Sequence, residues 1–481
     1  LFTIQKNMAS TKTTHWGQFI PLVSVFFFWG FVAASNDILI PVFKKAFHLT
    51  QSQSQLVALA FYIAYTVGSL VYLFISKAIK VDVINKIGYK NGLIYGLIIS
   101  ALGTLLFYPA ANTGSFVLMI SGLFIVGLGF SLQQIVANPL AIALGPKETG
   151  AQRLTLAGGV NNLGTTIGPL IVSFAIFGAV SSGNTEASIE SVKIPYLSLG
   201  AAFIIVAILI KFSKLPQVTA VIEEEKEVQH SVARTSAFQY PQLILGMIGI
   251  FLYVGVEVST ASNLPDYMEK VLGFQTKDIA PYISLYWASM MIGRWGGAIE
   301  AFDVKGGMKK FLQFLAPYLA FSVFLLVNFI ADHDLNNFYP YAVVILVLIV
   351  ADMASKGNPA RMLFIFSMMG IIALATGMLT TGMTSVYAFT SVGLFCSTLW
   401  PCIFALAING LGKYTNQGSS FLIMMIMGGG IVSWFQGYLA DLTNIHFSYI
   451  VGILCFAYLA FYALVVPKIL AKQGLSLEEK K

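Results

Sequence analysis

Charge is what this chain lacks most. Of its 481 residues only 10% are Asp, Glu, Lys or Arg, against about a quarter in a soluble globular protein, so an ordinary soluble enzyme is excluded. Cysteine is scarce as well. Cys396, Cys402 and Cys455 all fall inside apolar blocks, which fits buried thiols and excludes a disulfide scaffold. The five histidines (His15, His48, His230, His333 and His446) fall in polar joints or tails, with no His-Glu-x-x-His pattern and no cysteine pair at metal spacing. A metal-dependent or nucleophilic membrane enzyme therefore lacks its parts. Gly410-Leu411-Gly412-Lys413 comes near a phosphate loop, but Tyr414 stands where Ser or Thr must meet magnesium and the upstream glycine is missing. ATP-driven pumping within this chain is not expected.

What the chain has instead is apolar length. Hydrophobic residues make up 57% and aromatics 14%, and the mean hydropathy is +0.79. The apolar residues gather in blocks, each about long enough to cross a bilayer as a helix. An all-α polytopic membrane protein is expected, with spans at 21–43, 56–76, 91–110, 115–143, 154–179 and 195–213, and then at 241–262, 280–301, 311–331, 338–353, 362–380, 385–410, 419–440 and 447–467. That makes 14 transmembrane helices, of which 338–353 is the shortest. The first block is full-length and lacks a small-residue cleavage site, so no cleavable signal is expected. The stretch 214–240 contains Glu223-Glu224-Glu225-Lys226-Glu227 and reads as a linker between a bundle at 1–213 and a second at 241–467, followed by a tail at 468–481.

The basic residues set an orientation. With an internal N-terminus, internal segments hold 22 lysines and arginines and external joints hold five, Arg294 being left inside a helix. This is the asymmetry of the positive-inside rule. It puts both termini and the linker in the cytoplasm of a cell whose inner, or plasma, membrane holds the chain. Basic residues scattered over many short joints give no nucleic-acid signature. The expected partners are the lipid bilayer, a small substrate and a coupling cation, with the chain a monomer and no cofactor required.

The halves echo one another. Ser35-Asn36-Asp37 precedes Pro41 in the first helix, and Ser262-Asn263 precedes Pro265 in the seventh. Asp82 and Lys86 follow the second helix, while Arg294 and then Asp303 with the Lys305/Lys309/Lys310 cluster follow the eighth. A duplicated transporter has this layout, and Asp82, Lys86, Arg294 and Asp303 are the candidate conformational residues. A carboxylate inside a span costs about 2.5–3.5 kcal/mol on insertion scales, so it usually faces a cavity with a task. Asp37 with Asn36 beside it, and Glu257, are such positions. Ser131, Gln134 and Asn138 share one helical stripe, and Asn161 and Asn162 lie one turn before Thr165 and Thr166. Amides both donate and accept, which suits sugar hydroxyls, although interhelical bonding explains them equally well. Tyr286, Trp287 and Trp400 lie within spans and offer aromatic faces for a pyranose. The glycines, from Gly158 and Gly159 to Gly428-Gly429-Gly430, point first to close helix packing.

Longer motifs now carry a resemblance. Phe27-Phe28-Trp29-Gly30 with Asn36-Asp37-Ile38-Leu39-Ile40-Pro41 is similar to the first helix of the fucose:proton symporter family of the major facilitator superfamily. Gly127-Leu128-Gly129, Ala137-Asn138-Pro139, Leu144-Gly145-Pro146 and Arg153-Leu154 leading to Asn161 match further on, as do Tyr253 through Ser259, Ile292-Gly293-Arg294, Trp400-Pro401, Gly418-Ser419-Ser420 and Gly428 through Val432. The resemblance covers nearly both halves in order. It implies two six-helix bundles, alternating access, and cation-coupled uptake of a monosaccharide.

Residue by residue, Asp37 matches the family's first-helix carboxylate, implied to take part in coupling. Gln134 falls where the fucose permease has a second glutamate. Asn161 matches a sugar-contacting asparagine, Gly158 replaces a contacting glutamine, and Trp400 replaces an aromatic neighbour of the sugar. The combination of Gln134, Glu257 and Trp400 is more similar to the glucose/galactose branch, including sodium-dependent glucose transporters. An aldohexose (glucose, galactose or mannose) is the expected substrate. The missing second carboxylate, and the oxygens of Ser35 and Asn36 beside Asp37, tilt the expected coupling ion towards sodium held at Asp37, with proton as the alternative. A proton-coupled fucose-type symporter and a non-transporting sugar receptor on the same fold are the competing readings. The family has twelve helices, so residues 304–352 are expected to be an inserted two-helix hairpin.

Overall fold

In a bilayer core every backbone N–H and C=O must find a partner within the protein, and a helix satisfies them all inside one segment. The computed structural model describes residues 13–46, 51–177, 193–217, 235–274, 276–302 and 304–475, with backbone alone over 33–46, 51–59, 169–170, 172–177 and 276–278. Among the described residues all regular structure is helical. The first half comprises α1 (Trp16–Ala46), α2 (Gln51–Ala78), the short α3 (Val83–Ile87), α4 (Tyr89–Leu105), α5 (Phe107–Thr113), α6 (Phe116–Ala143), α7 (Gly150–Phe177) and α8 (Lys193–Phe212). The second comprises α9 (Pro241–Lys270), α10 (Thr276–Gly297), α11 (Gly306–Ile330), α12 (Tyr341–Ser355), α13 (Pro359–Leu379), α14 (Gly382–Cys396), α15 (Leu399–Ile408), α16 (Thr415–Met424), α17 (Gly428–Leu442), α18 (Ile445–Ser448) and α19 (Ile450–Lys472). The acidic run of the linker lies outside the described residues.

Three expected spans are broken rather than continuous. Pro109 has no N–H and its ring crowds the carbonyl four residues back, and α4 ends at that residue, Leu105. The span expected at 385–410 is divided at Ser397 and Thr398, where the Ser397 carbonyl accepts from Arg294 Nε at 2.8 Å. The span expected at 419–440 tightens into a 3-10 turn at Met425–Met427, directly before three glycines that favour helix poorly. Gly428 lies so close to the backbone of Phe251 that no side chain fits between them.

Helix pairing shows the duplication. In the first half α1 packs on α7, α4 on α6, α2 on α6 and α4 on α8; in the second, α9 packs on α17, α13 on α14, α10 on α14 and α13 on α19. The two sets superimpose in order once α11 and α12 are left out. That pair is the extra hairpin, packed on α10, and it makes the fold two six-helix bundles plus an insertion.

Among the described residues ten helical segments are long and apolar enough to cross a membrane, and Tyr341–Ser355 is apolar but shorter. α7 and α10 face each other across the halves. Contacts across the halves join the helix ends near Lys86 and Lys413 and those near Lys147 and Lys309, and these ends make the basic end of the bundle.

Candidate functional site

The halves meet along two seams at the basic end. On the first, α2 and α6 face α16. Ser419 Oγ donates to the Ile135 carbonyl at 2.8 Å, Ser420 Oγ to that of Ser69 at 3.2 Å, and Thr66 Oγ1 to that of Met424 at 3.3 Å. Asp82 closes the end of this seam. It caps α3 by accepting from the Asn85 N–H at 3.1 Å, takes the Tyr72 hydroxyl at 2.6 Å, and takes Asn416 Nδ2 from the other half at 3.1 Å. Tyr89 donates to Asn416 Oδ1 at 2.6 Å. Lys86 is exposed, and it is Asn85 that reaches across, accepting from Asn416 at 3.3 Å.

On the second seam α7 faces α10. Arg294 is 8% exposed, and its guanidinium gives Nε to the Ser397 carbonyl and Nη1 to that of Gly158 at 3.1 Å. Trp295 Nε1 donates to the Gly159 carbonyl at 3.3 Å. A Cβ on Gly158 would stand 3.0 Å from the guanidinium and one on Gly159 3.0 Å from the indole, so these two glycines are the floor on which Arg294 and Trp295 rest. Arg153 supports the start of α7 from within its own half. Fully buried, it donates to the carbonyls of Ala141, Ile142 and Pro146 and to Thr149 Oγ1, satisfying the carbonyl end of α6.

Half-buried polar and aromatic side chains also stand on helices that meet across the halves, α6 and α7 on one side and α10 and α15 on the other. Gln134 on α6 donates to the Tyr65 hydroxyl at 3.1 Å, and Asn161 on α7 donates to the Phe26 carbonyl of α1 at 2.9 Å. From the second half come Glu257, Trp287 and Trp400, also half-buried. Trp400 lies 6.2 Å from the Tyr253 ring and stacks on Phe404 at 6.1 Å. The charge of Arg294 bears on the Glu257 carboxylate, and the buried Tyr253 hydroxyl stands beside that carboxylate. Arg294 also touches α7 one turn below Asn161, so the same side chain serves both seam and site.

Three residues expected to contact substrate are buried. Tyr286 is wholly buried, and its hydroxyl donates to the Glu257 carbonyl at 2.8 Å; it supports the site from behind. Asn138 and Asn162 are 1% and 4% exposed, and Thr166, one turn on from Asn162, reaches Met291 of α10. The side chains of Asn36 and Asp37 and residue Asp303 lie outside what the structure describes. Among the described residues no three His, Cys, Asp or Glu side chains gather as a metal site.

Sequence reading missed Gln133. It accepts from Trp29 Nε1 at 2.9 Å and donates to Ser100 Oγ at 3.0 Å, tying α1, α4 and α6. The signal was there: adjacent helical residues point about 100° apart, so one of two neighbouring glutamines had to face away from the seam. Tyr65 and Asn416 were also missed.

Comparison with known proteins agrees with this geometry. The Major Facilitator Superfamily profile matches residues 22–355. A glucose/galactose transporter of Brucella abortus is 34% identical over 466 residues, covering 96% of each chain. The L-fucose-proton symporter of Escherichia coli is 29% identical over 463 residues, covering 92% of each. The crystal structure of the transporter FucP in the outward conformation superimposes with a TM-score of 0.70 at 26% identity, covering 93% of this chain and 98% of that one. This multi-pass membrane protein, a transporter by family and not an enzyme, belongs to the fucose:proton symporter family of the major facilitator superfamily, near the glucose/galactose transporters.

Proposed function

We propose that the chain is a proton-coupled importer of an aldohexose, with glucose and galactose ahead of mannose, working by alternating access. The observation that carries this reading is the lining between the halves: the amides Gln134 and Asn161 on one side, the Trp400 wall and Glu257 on the other. Amides meet hydroxyls in both directions, and an indole face covers the apolar side of a pyranose. The 1–213 and 241–467 bundles are the two moving bodies, both termini are cytoplasmic by the excess of lysine and arginine, and the basic end is the cytoplasmic one. Closure there leaves the site reachable from outside, as expected of an outward conformation such as that of the FucP crystal structure.

Support for the coupling ion moves from sodium to the proton. The two relatives whose names state an ion are both proton symporters, and the polar oxygens beside Asp37 suit either cation. Asp37 on α1 is the proposed carrier. Uptake of labelled hexoses into proteoliposomes tests the whole reading. An inward proton gradient drives accumulation, a sodium gradient at fixed pH does not, and Asp37→Asn loses accumulation while keeping sugar exchange. Accumulation driven by sodium alone would return the ion to sodium. No accumulation of any hexose with either gradient would leave a receptor on the same fold.

A further inference from the structure

The hairpin α11–α12 has no counterpart in the first half. Both of its ends converge on one carboxylate. Glu300 stands in the 3-10 turn Ile299–Phe302 that follows α10. Lys309, in the first turns of α11, reaches Glu300 Oε1 at 2.6 Å, the two side chains being 35% and 15% exposed. Where the hairpin ends, Gly357 in the turn between α12 and α13 has φ of +70°, and a Cβ there would collide with the Glu300 carboxylate. Glycine is needed at that position for the conformation and for the space.

The first half docks on the same turn. Gln152, at the start of α7, donates Nε2 to Glu300 Oε2 at 3.2 Å and to the Gly357 carbonyl at 2.6 Å. Thr14 Oγ1 donates to the Ala301 carbonyl at 2.7 Å, and Trp16 stacks on Phe302 at 4.9 Å. The hairpin is pinned along its height, so its ends cannot drift from α10. Gln313 Nε2 joins Asp352 Oδ2 at 3.4 Å between its two helices, the hydroxyls of Tyr341 and Ser289 lie 2.8 Å apart, and Phe338 lies 5.1 Å from the Tyr282 ring. Glu300 and Lys309 both lie near the buried Asp352 carboxyl.

We propose that the inserted hairpin is a conformational brace and that Glu300 is a positioning residue of the transport cycle: the chain Lys309–Glu300–Gln152, seated on Gly357, sets how firmly the basic end stays shut. The hairpin holds the docking turn from one side while the first half grips it from the other. Without Lys309 the carboxylate turns to water, Gln152 keeps one acceptor of two, and the closed arrangement loses weight against the open one. This rests on the reading that the halves alternate.

The test is a spin-label distance measurement on the full chain, with labels at Glu148→Cys and Lys310→Cys, exposed positions in opposite halves at the basic end. Lys309→Met keeps the packing stem and removes the charge; it raises the ratio of long to short distances about fivefold, the lower range of a coupling between sites. Glu300→Gln shifts the ratio in the same direction, and Lys309→Arg restores the parent's distribution. If the parent responds to added hexose but Lys309→Met and Glu300→Gln both match it, the brace is wrong while the transporter reading stands. A parent distribution that ignores every hexose and every pH counts against the transporter reading itself, and the brace falls with it.

Discussion

The two seams shut the same end of the molecule by different chemistry. Between α2, α6 and α16 the bonds are neutral hydroxyls on main-chain carbonyls, spaced about a turn apart, with Asp82 as a single charged end-piece. Between α7 and α10 a buried guanidinium and an indole bind the carbonyls of two glycines. A serine that loses its carbonyl across a seam can turn back to a carbonyl of its own helix, so the donors of the first seam are not stranded when it opens. A buried guanidinium has no such retreat and must find another acceptor. Glu257 is at hand, close enough to feel its charge. The α7–α10 seam is thus the one whose opening strands a charge, and it connects that charge to Glu257, a carboxylate of the proposed sugar site.

Arg294→Met tests this most severely. It leaves the carbonyls of Gly158 and Ser397 without their donor and Glu257 without its neighbouring cation. Loss of two charged hydrogen bonds in a dry site predicts a cost of about 3–5 kcal/mol to the shut state, read as lost uptake and a lower unfolding temperature in detergent. Arg294→Lys gives little rescue, because a single ammonium cannot reproduce the planar fork that spans two carbonyls. Wild-type uptake by Arg294→Lys would mean that charge alone matters and that the fork geometry does not.

Asp82→Ala is the matching test on the first seam. The carboxylate serves Tyr72, Asn85 and Asn416 at once, and its loss costs about 2 kcal/mol. The expected signature is a population shift towards the open basic end with sugar affinity unchanged. An effect as large as that of Arg294→Met would erase the distinction drawn between the seams.

Gln134→Ala separates site from seam. It removes the amide bonded to Tyr65 and weakens hexose binding by about 1–3 kcal/mol through unpaired hydroxyls, measured by calorimetry. Distances across the basic end stay at their parent values.

Much of this was legible in the chain alone. Apolar block length located the helices because lipid permits little else, and the motifs around Asp37, Asn161, Arg294 and Trp400 led to the family. The hairpin was legible as an even insertion in a twelve-helix pattern, but its seat on Glu300 was not, since Gln152, Glu300, Lys309 and Gly357 are far apart in sequence and individually ordinary. The facing of polar side chains was the weakest reading. Asn138 and Gln134 share a helical stripe, yet Asn138 is buried where α6 runs on towards its proline while Gln134 keeps surface. Likewise Asn161 faces α1 while Asn162, one residue on, is buried with its Oδ1 unpartnered. Composition flags such residues as costly in a span; only the packing of neighbouring helices decides which way each one turns.

The smallest effect belongs to Ser420→Ala. Ser420 is fully buried and its hydroxyl donates to the Ser69 carbonyl across the first seam. Alanine removes the donor and little volume. The carbonyl it leaves lies inside α2, where the helix supplies a partner, so it keeps one of its two acceptor directions filled. Interhelical hydrogen bonds in membrane proteins average about 0.6 kcal/mol, which predicts no more than about a threefold change in the ratio of open to shut. Uptake should stay within that factor. Ser419→Ala should cost more, because its acceptor, the Ile135 carbonyl, has Pro139 four residues on and receives no N–H from its own helix. Losing the hydroxyl leaves that carbonyl unpaired, at about 1–3 kcal/mol. Equal and small effects of the two alanines would show that the Ile135 carbonyl finds another donor and that the first seam is uniform along its length.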